Sequence, residues 1–205
     1  ETLMRVDEAI ANFNERNLSE SASLKAQENF MSWNHKGWEG LGSFDSKERQ
    51  LANDLLGFKA GIIFPTVAFD QVMAAKDEAI VLGGVRALNR GMASFCEEDS
   101  RMFGVAYIPF QYGKEIALEY LKDAIKLGFS VIAIDTIAPK GAKASTHPDF
   151  DCVWQEIQEA DIAITLHVGI DNSWDPVPLS FYNNAGKVPT HKQGDAPRDA
   201  LAYMG

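Results

Sequence analysis

At 205 residues the chain fits one domain with room for a sizeable core, and its 46% hydrophobic and 23% charged residues exclude wholesale disorder. Acidic residues number 29 against 19 basic ones, a formal net charge of −10. The densest basic stretch, Lys36 to Arg49, is interleaved with Glu39, Asp45 and Glu48, so nucleic acid and anionic membrane are excluded as expected partners.

The two cysteines, Cys96 and Cys152, form no CxxC or Cys/His cluster. Neither a disulfide framework nor a zinc knuckle is indicated, which favours a reducing compartment. No run approaches the roughly 18 apolar residues of a membrane span. No basic-then-apolar leader opens the chain, so the expected location is cytoplasmic.

Residues 1–45 differ in character from the rest. Glu1 to Asn29 is polar, with a helical stripe of Val6, Ile10 and Phe13. Trp33, Gly37, Trp38, Gly40 and Gly42 follow neither simple period and read as an irregular loop, a lid or an insertion. From residue 46 to 205 the pattern becomes regular. Asp45 or Ser46 can cap a helix carrying Leu51, Leu55 and Leu56, closed by Gly57. Gly61 to Phe64 is a short apolar strand stopped by Pro65. A long helix over Lys76 to Asp99 is expected to bury Val81, Val85, Leu88, Met92 and Phe95, with Gly83 and Gly84 as its weak point.

Met102 to Ile108 is the next strand, closed by Pro109. Lys114 to Leu127 is an amphipathic helix with Tyr120, Leu121, Ala124 and Ile125 inward and Gly128 at its stop. Phe129 to Ile134 is a strand ending at Asp135. After a loop to Pro148, Asp149 or Asp151 is expected to cap a helix through Val153, Trp154 and Ile157. Ile162 to Leu166 is the fourth strand, ending at His167. Two short helices are expected beyond it.

Strands and helices alternate, and the strands are near-continuous apolar runs, the mark of parallel strands covered by helices. No Gly-rich phosphate loop follows any strand, which favours a barrel over an open nucleotide-binding sheet. A full (β/α)8 TIM barrel takes eight strands and about 250 residues. The text supplies about half of one.

Residues just past the strand ends line the active face of such folds. Here these are Thr66, Phe110, Asp135 and His167, with Asp171 slightly beyond. His167 is the candidate metal ligand, because neutral imidazole is a common ligand and a strand end fixes its ring. The alternative is a hydrogen-bonded core or loop histidine. Asp135 could accept from a ligand histidine, act as a base, or only close its loop. Asp171 reads as a turn residue first and a substrate contact second. His35 and His191 lie in loops that could reach a barrel mouth. Trp38, with Trp33 and Trp174, is a loop anchor or a substrate contact. His147, before Pro148, reads as structural. No G-x-S-x-G elbow and no H-x-x-x-H pair occurs.

The order of several motifs resembles a known family. Gly42-Ser43-Phe44-Asp45, Asp54 to Phe58 and Ile62 to Thr66 are similar to the second-strand region of the amidohydrolase-related barrels (amidohydrolase family 2). This branch includes aminocarboxymuconate-semialdehyde decarboxylase and resorcylate decarboxylases. Leu88-Asn89 with Phe95-Cys96, Gly104 to Pro109, His147 to Asp151 with Val153-Trp154, and Leu166 to Gly169 continue the likeness.

The resemblance implies a (β/α)8 barrel with one divalent metal, zinc first and manganese or magnesium as alternatives. The family's ligands are a His-x-His pair on the first strand, a His ending the fifth and an Asp ending the eighth. A His ending the sixth assists catalysis. His167 falls on the fifth-strand ligand, so residues 46–205 correspond to about strands 2 to 5. No His-x-His pair occurs in this sequence, and the sixth- and eighth-strand residues have no counterpart. The text, which starts at Glu1 and not at Met, is therefore read as a fragment, a record with lost segments or a degenerate member. These 205 residues alone are expected to be inactive.

The resemblance implies a hydrolase of a small organic substrate acting through a metal-activated water. Non-oxidative decarboxylation of a carboxylated enol or phenol is the alternative, and a non-catalytic remnant the third. A homodimer follows by analogy only.

Overall fold

The computed structural model describes residues 7, 10–11, 13–15, 17–31, 40–134, 145 and 147–166. They fall into two compact units, one within Glu1–Gly61 and Phe95–Met102, the other within Ile62–Ser94 and Phe103–Gly205. Among the described residues, no helix is long and apolar enough to cross a membrane.

In the first unit, helix α1 spans Glu20–Met31. The Ser19 hydroxyl accepts from the Ala22 N–H at 3.2 Å, a cap in the turn that separates α1 from the helical residues before it. Helix α2, Ser46–Leu56, begins where expected: the Asp45 carboxylate accepts from the Glu48 N–H at 2.9 Å. Gly57 closes it in the left-handed conformation at φ 69°. Its burial is unlike the leucine stripe read from the sequence. Glu48, Ala52 and Asn53 are buried, while Leu56 is exposed.

The second unit carries the sheet. Strands β1 (Gly61–Ile63), β2 (Met102–Ile108), β3 (Val131–Ile134) and β4 (Ala163–Leu166) lie side by side in chain order. The sheet is parallel, curled and half-closed, with helices flanking it, which is a partial (β/α)8 barrel. Ile108 pairs with Ile134, and Ile134 with Leu166, so the carboxyl ends of three strands are level. Apart from exposed Phe103, β2 and β3 are buried on both faces; Val105, Ala106, Tyr107, Ile108 and Ile132 are at most 1% exposed. A parallel strand covered on both sides needs no in/out alternation, which is why these strands read as apolar runs.

Helix α3 (Thr66–Met73) was not expected. It is short and mostly apolar, so it shows little helical period. It starts directly after Pro65, whose C=O accepts from the Phe69 N–H at 2.8 Å. Helix α4 (Glu78–Cys96) buries Val81, Val85, Asn89 and Met92. Asn89 thus takes the place expected for Leu88. A Cβ on Gly84 would lie 2.8 Å from Val72 Cγ1, so this glycine lets α3 and α4 approach. Nothing in the structure explains Gly83.

Helix α5 (Lys114–Lys126) buries Ala117, Tyr120, Leu121 and Ala124. Helix α6 (Asp151–Glu159) buries Val153 and Ile157. The expected caps Asp149 and Asp151 do not cap. A short 3-10 turn, Pro148–Phe150, precedes α6, and its cap is the His147 ring, accepting from the Asp149 N–H at 3.1 Å. Pro148 lacks an N–H and fits the first turn position, which leaves the residue before it, His147, as the cap.

Candidate active face at the strand ends

Beyond the carboxyl end of β2 the connection to the next helix is short. Pro109 stops β2 and a 3-10 turn, Phe110–Tyr112, leads into α5. The end of β2 is held by an unusual device. Arg101, two turns of the pleat before Val105, accepts from the Gly61 N–H at 2.8 Å, so odd-numbered residues of this stretch direct their backbone groups toward β1. β1 ends at Ile63 and Pro65 has no N–H to give. The side-chain amide of Asn89 takes over: it donates to the Tyr107 C=O at 3.0 Å and accepts from the Tyr107 N–H at 2.9 Å. A buried main-chain pair is thereby satisfied without a neighbouring strand.

Tyr107 continues this chain of contacts. Its ring meets Phe69 edge-on at 4.6 Å, and its hydroxyl donates to Gln111 Oε1 at 2.9 Å. Gln111 in turn lines a half-open cavity of about 400 Å³, with Phe110, Gly113, Lys114, Glu115, Asp149 and Phe150. The rings of Phe110 and Phe150 are 5.1 Å apart, and Trp154 stacks on Phe110 at 5.2 Å. The Trp154 indole N–H donates to the Ser145 C=O at 2.8 Å, tying the segment before α6 to the helix. These residues come from the two connections that follow β2 and β3, the side on which α/β barrels bind substrate.

Of the residues named from the sequence, Trp33, His35, Trp38, Asp135, His167, Asp171, Trp174 and His191 lie outside the described residues, whereas Thr66 begins α3 and Phe110 is buried beside the cavity. Asp135 follows Ile134 and His167 follows Leu166, the two residues paired in register at the ends of β3 and β4. Gln111, Lys114 and Glu115 were not singled out from sequence, and Asp149 was expected only as a helix cap. Pro109 and Gly113, which bracket the turn, were the available signal that a strand-to-helix connection lay there.

Among the described residues, no group of three His, Cys, Asp or Glu side chains could hold a metal ion. Of the four histidines, only His147 is described, and its ring is engaged as the cap of the 3-10 turn. The described residues by themselves therefore do not form a metal site.

The other concentration of titratable groups lies in the first unit and is structural. Arg101 donates to Asp99 through Nε at 3.0 Å and Nη2 at 2.8 Å, and to Asp54 through Nη1 at 2.7 Å. These bonds from Arg101 hold the buried Asp99 carboxyl below the usual carboxylate range, and they raise the guanidinium. Buried Glu48 accepts from the Gly42 N–H and from the Asn17 side chain, both at 3.1 Å. Burial pushes the Cys96 thiol up to about 11, so it is no nucleophile at neutral pH.

No family model matches the chain, and no curated protein matches it. Among solved structures it is similar to an amidohydrolase from Mycobacterium avium subsp. paratuberculosis, with a TM-score of 0.55 at 15% sequence identity. The match covers 62% of this chain and 35% of that one, so the chain spans about a third of the length of the protein it resembles. At this identity the likeness is one of fold.

Proposed function

We propose that these residues are the strand 2 to strand 5 part of a metal-dependent hydrolase of the amidohydrolase kind, acting on a small organic substrate. The observation that carries the reading is the half-barrel fold shared with an amidohydrolase, with the level ends of β3 and β4 followed in sequence by Asp135 and His167. His167 is assigned one metal-ligand position, with its other partners outside the described residues. A divalent metal, zinc first, supplies an acidified water and polarises a carbonyl when bound.

The described residues have positioning roles in this reading. Asn89 fixes the end of β2, Tyr107 orients Gln111, and the aromatic set of Phe110, Phe150 and Trp154 keeps the cavity wall rigid. Binding of the unreactive part of a substrate in a preformed cleft lowers the entropic cost of reaching the reactive geometry.

The test is a substrate panel on the native, full-length protein. Esters, lactones and amides are expected to yield acids carrying one solvent oxygen. His167→Ala is expected to lower that rate on the order of 100-fold or more. Carbon dioxide release from carboxylated phenols, with no hydrolysis, contradicts the hydrolase reading and makes the chain part of a decarboxylase.

A further inference from the structure

We infer that His147 is a pH-operated latch on the wall of the cavity: its neutral ring holds the 3-10 turn before α6, and its protonated ring releases that hold and takes the Asp149 carboxylate instead. One nitrogen carries the argument. His147 Nδ1 accepts from the Asp149 N–H at 3.1 Å, which requires a lone pair there and places the ring proton on Nε2. The same Nδ1 lies 3.4 Å from Asp149 Oδ1. Two partners of opposite kind thus meet at one atom. A neutral ring serves the main-chain donor. An imidazolium carries a proton on both nitrogens, so it serves the carboxylate and accepts nothing.

The turn depends on this cap. Pro148 has no N–H, so the Asp149 N–H is the first donor of the turn. The Phe150 N–H then donates to the His147 C=O at 2.9 Å, and the Asp151 N–H to the Pro148 C=O. A Ser, Thr, Asp or Asn cap would satisfy the same donor without titrating near neutral pH. The position is open to protons, with the His147 side chain 35% and the Asp149 side chain 41% exposed. Asp149 and Phe150 line the cavity and α6 begins at Asp151, so the change reaches the cavity wall and the start of the helix. The charged groups nearby on other elements are Lys114 and Glu115, which line the same cavity from α5, and Asp151 of α6. Among the described residues, the carboxylate within ion-pair distance of the ring is that of Asp149. Protonation gives this lining residue a cationic partner, which offsets the negative charge it brings to the cavity.

NMR on the isotope-labelled native protein tests it, with His147→Asn for comparison, since Asn keeps an oxygen acceptor at the cap and does not titrate. The pH is lowered from about 8 to about 5, the range in which histidine changes charge. The wild-type Nδ1 signal is expected to pass from an unprotonated acceptor to a protonated donor. The Asp149 amide proton should move upfield with the same midpoint, and the Phe150 and Asp151 signals should follow. Protection of the Asp149 amide from hydrogen exchange, corrected for its intrinsic rate, should fall about fivefold. In His147→Asn that protection should stay within about twofold. An Asp149 amide that ignores the ring's titration overturns the inference, as does the same pH response in His147→Asn. So does a wild-type ring whose Nδ1 carries the proton at about pH 8. The wild-type nitrogen and amide signals decide the matter even if the variant unfolds. None of these readouts needs metal or substrate, so failure of the hydrolase reading leaves them standing.

Discussion

The two compact units bury opposite kinds of side chain. The sheet unit closes over aliphatic and aromatic groups: Val85, Ala106, Ile108, Leu121, Ile132 and Val153 are fully shielded. The first unit buries Glu48, Asn53 and Asp99 alongside Leu41 and Ala52. Apolar burial is non-directional and stabilises in proportion to area. Polar burial stabilises only while every partner is in place, because an orphaned group carries its full desolvation cost. In the sheet unit the cost of a substitution should therefore follow the apolar volume removed, and in the first unit the polar partner lost. Asn89 is the instructive exception, a polar side chain inside the apolar unit that replaces a strand.

Truncating the apolar unit should have the largest effect. Ile132→Ala, at the centre of β3, is expected to cost about 4 kcal/mol in denaturant unfolding. Asn89→Leu keeps the size and removes both bonds to Tyr107, orphaning two buried main-chain groups. It should cost about 3 kcal/mol, although Leu is the more apolar residue. A neutral or stabilising result would show that the Tyr107 main chain does not depend on the Asn89 bonds.

Arg101→Met probes the polar unit through pH. A carboxyl held low in the folded state adds stability above its unfolded value of 3.8, lost as pH falls through the folded value. Without Arg101 the buried Asp99 protonates at higher pH, so the acid-unfolding midpoint should rise. An unchanged midpoint would mean that Arg101 is dispensable. Trp154→Phe keeps the ring against Phe110 and loses the bond to Ser145, at a cost of about 1 kcal/mol. The smallest effect should be a gain. Helices α5 and α6 both end in a left-handed residue before a strand, Gly128 at φ 84° and Asp161 at φ 53°. Asp161→Gly should stabilise by about 0.5 to 1 kcal/mol, read as a rise in Tm.

Much of the fold was legible because barrel strands advertise themselves. β2 was read to the residue, since Met102 to Ile108 is an unbroken apolar run ended by Pro109. β3 and β4 began two and one residues later than expected, because Phe129 and Ile162 bond back to Ala124 and Ile157 at the ends of the preceding helices, while the Ser130 C=O accepts from the Ala163 N–H. α3 was missed because eight mostly apolar residues carry no usable helical period. The polar interior of the first unit was illegible for a different reason. Glu48 and Asn53 on a helix read as surface, and only tertiary partners such as Gly42 and Asp99 justify burying them. The cavity was missed in the same way, as its polar residues come from segments about 35 residues apart. Strand ends could be named from sequence, so Asp135 and His167 could be too; the polar residues lining the cavity could not.

Whether the protein is a metal-dependent hydrolase depends on His167. Elemental analysis of the native, full-length protein tests it directly. About one divalent metal per chain is expected, lost on His167→Ala while the far-UV circular dichroism stays unchanged. Metal retained in that variant, or none in the wild-type protein after purification with zinc, manganese or magnesium, would contradict it.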